Sequence, residues 1–584
     1  MSYVKSPYNF VPAPNEDEVF KPDWADQVSH DIPFSDGESG EIEIEITAET
    51  PIFIRDGQKK DEKAEEFSHF MVNGKKQYFI PATSIKGMVR NVLEIMSFSR
   101  LAPVALGNTI FGLRDMNNHQ YSKEEIRGNQ PGWLVFENGK WIIKPTRTDR
   151  VTINSIVKYF SHRNSWDKEE VSFSELTARG KYEKCGLRSF EKKFNMDWSH
   201  EVEKTGDIFE LNRQGEYDGY LVMYGAMDNK KYEYIFEDSE GKSIDLIDQN
   251  LLVKMTDYEE GNSDSLWLYF FKELGLKKIP VFYKQDPQTK KAIHFGFSKL
   301  YRLNNGAYLK DLNPISSYKE ESDLDLAETI FGHTSGNEAL KGRVFFSHAL
   351  ALGNPEEDEL KHEILGSPKP SYYPFYLDQN NRGQKKYNTY QNPKSQLRGF
   401  KKYHIQQKER KNVYTQDQLD SDTMVHFKPL KSGTKFRLKI RYHNLRPFEI
   451  GSLLSALTYH ANHQILRHNL GMAKSMGYGR IKFDLHIDDQ NLKRYLKIFE
   501  SKMDEHTKQK FGKKWVETDQ IRDLGAMAKA ATENNKLNFP KLEAETRDPR
   551  SGRTKKINEF NEIKKGLEFL KSPSTYNSFQ IKAL

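Results

Sequence analysis

The sequence predicts an α+β protein: two ferredoxin-like (RRM-like) modules, a strand-rich region between them and a helical C-terminal extension. Three observations carry this. In "GEIEIEITAET", Ile42, Ile44 and Ile46 alternate with glutamates, the period of a half-exposed strand. In "ATSIKGMVRNVLEIM", Ile85, Val89, Val92, Leu93 and Met96 fall at helical spacing. "TIFG" occurs at 109–112 and again at 329–332, followed downstream by "GWLVF" at 132–136 and "GRVFF" at 342–346, which suggests a duplicated unit.

In chain order, residues 1–40 are rich in Pro and acid and read as an extended segment lying over something else. A first module is expected over 41–147: strand, break at Asp56-Gly57, the short strand "QYFIP", then the helix, with Thr83 or Ser84 as its cap. Lys86 falls in the first helical turn, where unpaired N–H groups favour an anion, and Arg90 and Glu94 continue its face at i+4 spacing. Residues 148–289 are strand-rich and carry no readable motif. The second module, 290–490, closes with the strand "GTKFRLKIRYHNL" and a helix through "EIGSLLSALTYHANHQIL". A glycine loop and the strand "RIKFDLHI" follow. Residues 491–584 read as helical and of mixed charge, with a linker-like "ETRDPRSGRTKK". A last amphipathic piece carries Ile557, Phe560, Ile563 and Leu567 and suits docking on a partner subunit or on its own body.

The 584 residues are 36% hydrophobic and 29% charged, sufficient for two or more domains with a buried core. No apolar run approaches the ~18–20 residues that span a bilayer. The N-terminus lacks a basic region followed by an apolar core, so no secretory signal is expected. The single cysteine, Cys185, excludes a disulfide framework and a Cys-rich zinc site, and a cytoplasmic location is expected.

The net charge of +6 decides little, because 83 acidic residues nearly match 89 basic ones. Its distribution says more. Residues 381–415 carry ten Lys/Arg against one acid, Glu409, interleaved with Tyr387, Tyr390, Phe400, Tyr403 and Tyr414. Cations for phosphates and rings for unpaired bases are what single-stranded nucleic acid requires, so Arg398, Lys401 and Lys402 are candidate RNA contacts. A solvated loop would have the same composition.

The loop "GMAKSMGYGR" runs from a helix to a strand. A dinucleotide fingerprint runs the other way, and no GxxxxGK[ST] is present, so small-nucleotide binding is excluded. Two readings stand: a plain connection, or a glycine-rich backbone that approaches a polymer's phosphates, with Lys474 and Arg480 beside it.

These segments resemble the RAMP superfamily (repeat-associated mysterious proteins) of CRISPR systems. "IPATSIKGMVRNVLE" is similar to its IPGSSIKG-x-x-R segment, and "TIFG…GRVFFSHA" to its FG–GR(V/L)xF segment. "GMAKSMGYGRIKF" resembles its C-terminal loop, G-x-G-x-x-x-G-x-G-R-V. Ala82 and Ala473 stand where that pattern has glycine. The match covers roughly 41–112 and 290–490. "LGSPKPSYYPFYL" with "QLRGFKKYH" resembles a subfamily of large two-module members. The resemblance implies a backbone subunit of a type III effector complex, a ribonucleoprotein of antiviral defence. Its partners would be CRISPR guide RNA, target RNA and other CRISPR-associated subunits, with no membrane. Ser84, Lys86 and Arg90 would meet phosphates, and Gly471, Lys474, Gly477, Tyr478, Gly479 and Arg480 would form the loop contact.

A ribonuclease is the alternative. The resemblance to subunits that cut target RNA with a loop aspartate points to Asp56 and Asp61 as catalytic candidates, with a divalent metal called for only in that case. Asp-Gly is equally an ordinary turn signal. Guide-RNA maturation by acid/base chemistry would draw on His443, His460, His463 and His468, the second and third of which are spaced to share a helical face. The same four make a poor zinc site, and no metal site or resident cofactor is otherwise expected.

Overall fold

The alternation read at Ile42–Ile46 becomes the middle of the main sheet. In the computed structural model, strand β2 (Glu38–Ala48) buries Ile42, Ile44 and Ile46 and turns Glu41, Glu43 and Glu45 to the other face. The structure describes every residue except 1–3, 57–64, 102–108, 162–171, 200–207, 228–229, 240, 260–261, 263–264, 305, 314–322, 336–337, 367, 380–385, 422, 532–536 and 548–552. The chain divides into two units: 1–103, 311–387 and 396–584 form unit 1, and 104–310 with 388–395 form unit 2.

Unit 1 is built on one antiparallel sheet. The strands of unit 1 that bear on the site are β1 (Tyr8–Val11), β2, β3 (His69–Val72), β4 (Lys75–Ile80), β5 (Val344–Phe346), β6 (Ala349–Ala351), β7 (Phe400–Tyr403), β8 (Lys435–Leu445), β9 (His468–Asn469) and β10 (Arg480–His486). The sheet order is β9–β10–β2–β8–β6–β4–β3, with β5 also on β8; β1 pairs β7 apart from it. β2 is thus flanked by β8 and β10 from the far end of the chain, in register Ile44 opposite Leu438 and Leu485. The two units part near 103 and 310, and strands of the two sequence modules complete one another's hydrogen bonds in a single sheet.

Helices α1 (Ala82–Met96), α2 (Leu326–Phe331), α3 (Pro447–Thr458), α4 (Asp489–Phe511) and α5 (Asp519–Ala528) bury their apolar residues with the isoleucine face of this sheet in one core. The opposite face is a cross-strand charge ladder. Lys435 pairs with Glu45 at 2.7 Å and Lys439 with Glu41 at 2.6 Å, while Arg437 reaches Glu43 at 3.4 Å. Arg343, in "GRVFF", is fully buried and ion-paired to Glu449 at the start of α3. Its guanidinium also donates to the Thr329 carbonyl at 3.1 Å and the Asn444 carbonyl at 2.5 Å.

Three local expectations change. Helix α1 begins at Ala82, without a Thr83 or Ser84 cap; the Ala82 N–H donates to His348 Nδ1 at 3.0 Å. Helix α3 stops at Thr458, because Tyr459, His460 and Ala461 all adopt the left-handed conformation (φ 49°, 55° and 60°). The "TIFG" echo is not equivalent in structure: the second copy ends α2, whereas the first lies outside any helix in unit 2.

Unit 2 contains a closed barrel of five strands (Thr148–Thr152, Lys193–Trp198, Ile208–Leu211, Tyr217–Val222, Tyr232–Phe236). A five-stranded antiparallel sheet runs Ile244–Asp245, Lys140–Pro145, Gln130–Glu137, Lys278–Gln285, Ala292–Gly296. Near the C-terminus, Ala544–Arg547 and Thr554–Ile557 form a hairpin, and the helix Glu559–Lys565 buries Ile563 against Tyr8, Phe10 and Phe375 while Leu567 stays exposed. Among the described residues, no helix is long and apolar enough to cross a membrane.

Candidate nucleic-acid interface

Helix α1, strand β7 and the segment leading into the glycine loop enclose a cleft of about 660 Å³ in unit 1. Ser84, Met88 and Asn91 line it from α1, at i, i+4 and i+7. Arg55, Lys401, Lys402, Arg467 and Lys474 also line it, and no Asp or Glu is among its described lining residues. Two rings, Tyr403 and Tyr459, complete a wall that is cationic and aromatic.

The cations are held in different ways. Lys402 donates to Asn91 Oδ1 at 3.0 Å and has no carboxylate contact among the described residues; burial pushes its pKa down to about 8, against the attraction of Glu94 and with the repulsion of Lys474. Lys474 donates to the Gly471 carbonyl at 2.5 Å, and burial lowers its pKa too. Lys401, one residue from Lys402 on β7, points into a cage of Tyr8, Tyr376 and Tyr403, with its ammonium 4.2 Å from the Tyr8 ring centre. Arg467 and Arg480 share the one carboxylate of Glu49, at 2.8 and 2.9 Å, which leaves a net positive charge there. Arg55 is paired with Glu65 at 2.5 Å.

The sequence candidates separate into those the cleft gathers and those it does not. Ser84, Lys401, Lys402, Gly471 and Lys474 come together. Lys86 and Arg90 lie on another side of α1, each about 6 Å from the Phe331 ring centre, and Arg90 is ion-paired to Glu94 at 2.8 Å. Arg398 is turned inward: it donates to the Leu570 carbonyl at 2.5 Å, and burial lowers its pKa to about 10. Gly477, Tyr478, Gly479 and Arg480 are taken up by the fold. Tyr478 is buried against Phe427. A Cβ on Gly471 would stand 2.3 Å from the Phe53 carbonyl oxygen, and one on Gly479 only 1.8 Å from that of Leu470. These glycines have positive φ (89° and 74°), so the protein's own backbone accounts for them without a polymer.

Asp56 is half-exposed, with its carboxylate 3.7 Å from His69 Nδ1; Asp61 lies outside the described residues. Among the described residues no group of three or more His, Cys, Asp or Glu is placed to hold a metal ion. The four histidines are not brought together. His443 contacts Ser39 and stacks near His30. His460 is buried with Nε2 3.0 Å from Glu500. His463 is half-buried, and burial lowers its pKa. His468 does line the cleft, but burial drives its pKa to about 3, which keeps it neutral and unsuited to proton transfer near pH 7.

Asn91, Arg55, Arg467 and Tyr459 are cleft residues that the sequence did not single out. Asn91 was findable, since it continues the Ser84–Met88 stripe by helical spacing; the others required the fold.

The family model of the RAMP superfamily matches residues 45–242 and 289–482. No curated protein matches the chain. Among solved structures, a chain of a "Type IV-B CRISPR Complex" is 10% identical at a TM-score of 0.23, covering 77% of this chain and 92% of that one. A chain of a "CRISPR RNA-guided surveillance complex, pre-nicking" is 10% identical at 0.22, covering 76% and 78%. A chain of the type III-B Cmr-beta complex bound to cognate target RNA is 9% identical at 0.18, covering 76% and 97%. At those scores the structural likenesses lend no weight to any activity. The family match rests on two segments that together span well over half of the chain, one in each half, and on that ground the chain belongs to the RAMP superfamily.

Proposed function

We propose that this protein is an RNA-binding subunit of a type III-like CRISPR effector complex, holding guide RNA in the unit 1 cleft. The observation that carries the reading is a cleft lined, among the described residues, by five cations, two tyrosines and no carboxylate. Phosphates would answer Lys402, Lys474 and Arg467, and Tyr403 offers a ring to a base. Lys402 is central: burial makes its charge costly without an anion, and a phosphate would restore it.

The same reading takes unit 1 as a ferredoxin-like frame, in which α1 and α3 follow β4 and β8 and pack on one sheet face. It also takes the chain as one that holds RNA. Cutting by histidine acid/base chemistry has less support, since His468 is held neutral.

The test is to purify the protein from cells carrying a CRISPR array and sequence the RNA that comes with it. Uniform RNAs sharing a repeat-derived end, absent from a Lys402→Ala/Lys474→Ala double variant, are the expected result. A random mixture, or none, would sink the reading.

A further inference from the structure

Unit 2 holds a second cationic cavity, of about 430 Å³, built by a different device. Leu113 and Leu303 exchange both backbone hydrogen bonds, at 3.0 and 2.9 Å, in an antiparallel bridge. That register sets Arg114 opposite Arg302. The two leucines are buried, and strand alternation turns both arginines to the other side, where they are exposed and line the cavity. Like charges directly opposite each other are destabilising. Among the described residues neither guanidinium has an ion-pair or hydrogen-bond partner, and Glu259 is the one carboxylate among the described lining residues.

A second cationic group lies beside the same cavity. Tyr224 lines it, is 6% exposed, and its buried hydroxyl has no hydrogen-bond partner among the described residues. Its carbonyl accepts from Lys181 at 2.7 Å and from Lys230 at 3.2 Å. Both lysines share Glu233, at 2.9 and 2.7 Å, so two cations on one carboxylate leave net positive charge behind Tyr224. The Tyr258 ring lies beside Arg302, against Gly112.

We propose that this cavity is a second phosphate site for single-stranded RNA, in which Arg114 and Arg302 grip one backbone phosphate. Two guanidiniums held side by side match the two non-bridging oxygens that share a phosphodiester's charge, and the Tyr258 ring offers a face to the adjoining base. The proposal rests on the reading that this chain binds RNA.

The test measures binding of fluorescein-labelled single-stranded oligouridylate to the full chain by anisotropy across a salt series. It compares the native protein, R114Q/R302Q, R114K/R302K and K402A. R114Q/R302Q is expected to bind roughly tenfold more weakly, with a log–log salt slope smaller by about 0.7 because one phosphate is no longer neutralised. Its melting temperature should be unchanged or raised, since a like-charge pair is removed. R114K/R302K, which keeps the charges without the forked geometry, should recover the slope and only part of the affinity. If R114Q/R302Q binds like the native protein while K402A is weakened, the second site is overturned and the cleft reading stands. If only R114Q/R302Q is weakened, the second site holds and the cleft assignment falls. If the native protein binds no RNA, both fall.

Discussion

At the scale of single residues, Lys402 links the sequence to a measurable titration. Its free-state pKa of about 8 lies below that of an ordinary lysine because burial opposes its charge, and a bound phosphate would raise it again. The bound state therefore holds a proton that the free state loses above pH 8. RNA affinity should be flat below about pH 7.5 and then fall by up to about tenfold per pH unit as the pH climbs through 8 to 9. Lys402→Ala should remove that dependence; a pH profile unaffected by the substitution would remove Lys402 from the site. Gly479 makes a different kind of prediction. Its φ of 74° and the Leu470 carbonyl oxygen 1.8 Å from any Cβ leave no room for alanine. Gly479→Ala should destabilise the fold by at least about 2 kcal/mol, read as a lowered denaturation midpoint. Preserved stability with abolished RNA binding would instead mean that RNA approaches this backbone.

At the scale of elements, two sets of charges with similar sequence signatures have opposite weight. The ladder between β2 and β8 is in water: Arg437 is 47% exposed and Glu43 31%. Glu43→Gln should shift stability by less than about 0.5 kcal/mol. Arg343 and Glu449 are both fully buried, and Arg343→Ala would leave the Glu449 carboxylate uncompensated in the core. That variant should cost about 3–5 kcal/mol, measured by chemical denaturation, and a near-neutral result would show that this pair does not secure β5 to α3. The arginine in the "GRVFF" segment thus acts through packing, a role no local pattern could reveal because its partner lies 106 residues away. The end of α3 has the same lesson. Apolar spacing continues to Ile465, but three left-handed residues end the helix at Thr458, seat His460 against Glu500 and leave Ile465 half exposed.

At the scale of the whole molecule, the cleft's cations should act together on a polyanion. If three to five of them neutralise phosphates, the slope of log affinity against log salt for single-stranded RNA should lie between about −2 and −3.5. A slope near zero would show that the lining cations do not meet phosphates. Much of this chain was legible from its order of residues. The β2 alternation, the α1 face and the helix-to-strand direction of the glycine loop are local patterns, each set by a period of two or 3.6 residues or by the order of neighbouring elements. Those patterns, with three motifs in series, also located the family. Lys401 and Lys402 came from composition alone, and the fold gathers both. What local pattern could not supply was which surface each residue would share. β2 closes its hydrogen bonds with strands nearly 400 residues later, and that long-range pairing draws both sequence modules into one sheet. The same packing turns Lys86 and Arg398 away from the cleft and brings in Arg467 and Asn91. Period and order determine an element and its apolar face; only the burial of that face against a distant partner decides which charged groups remain together in water.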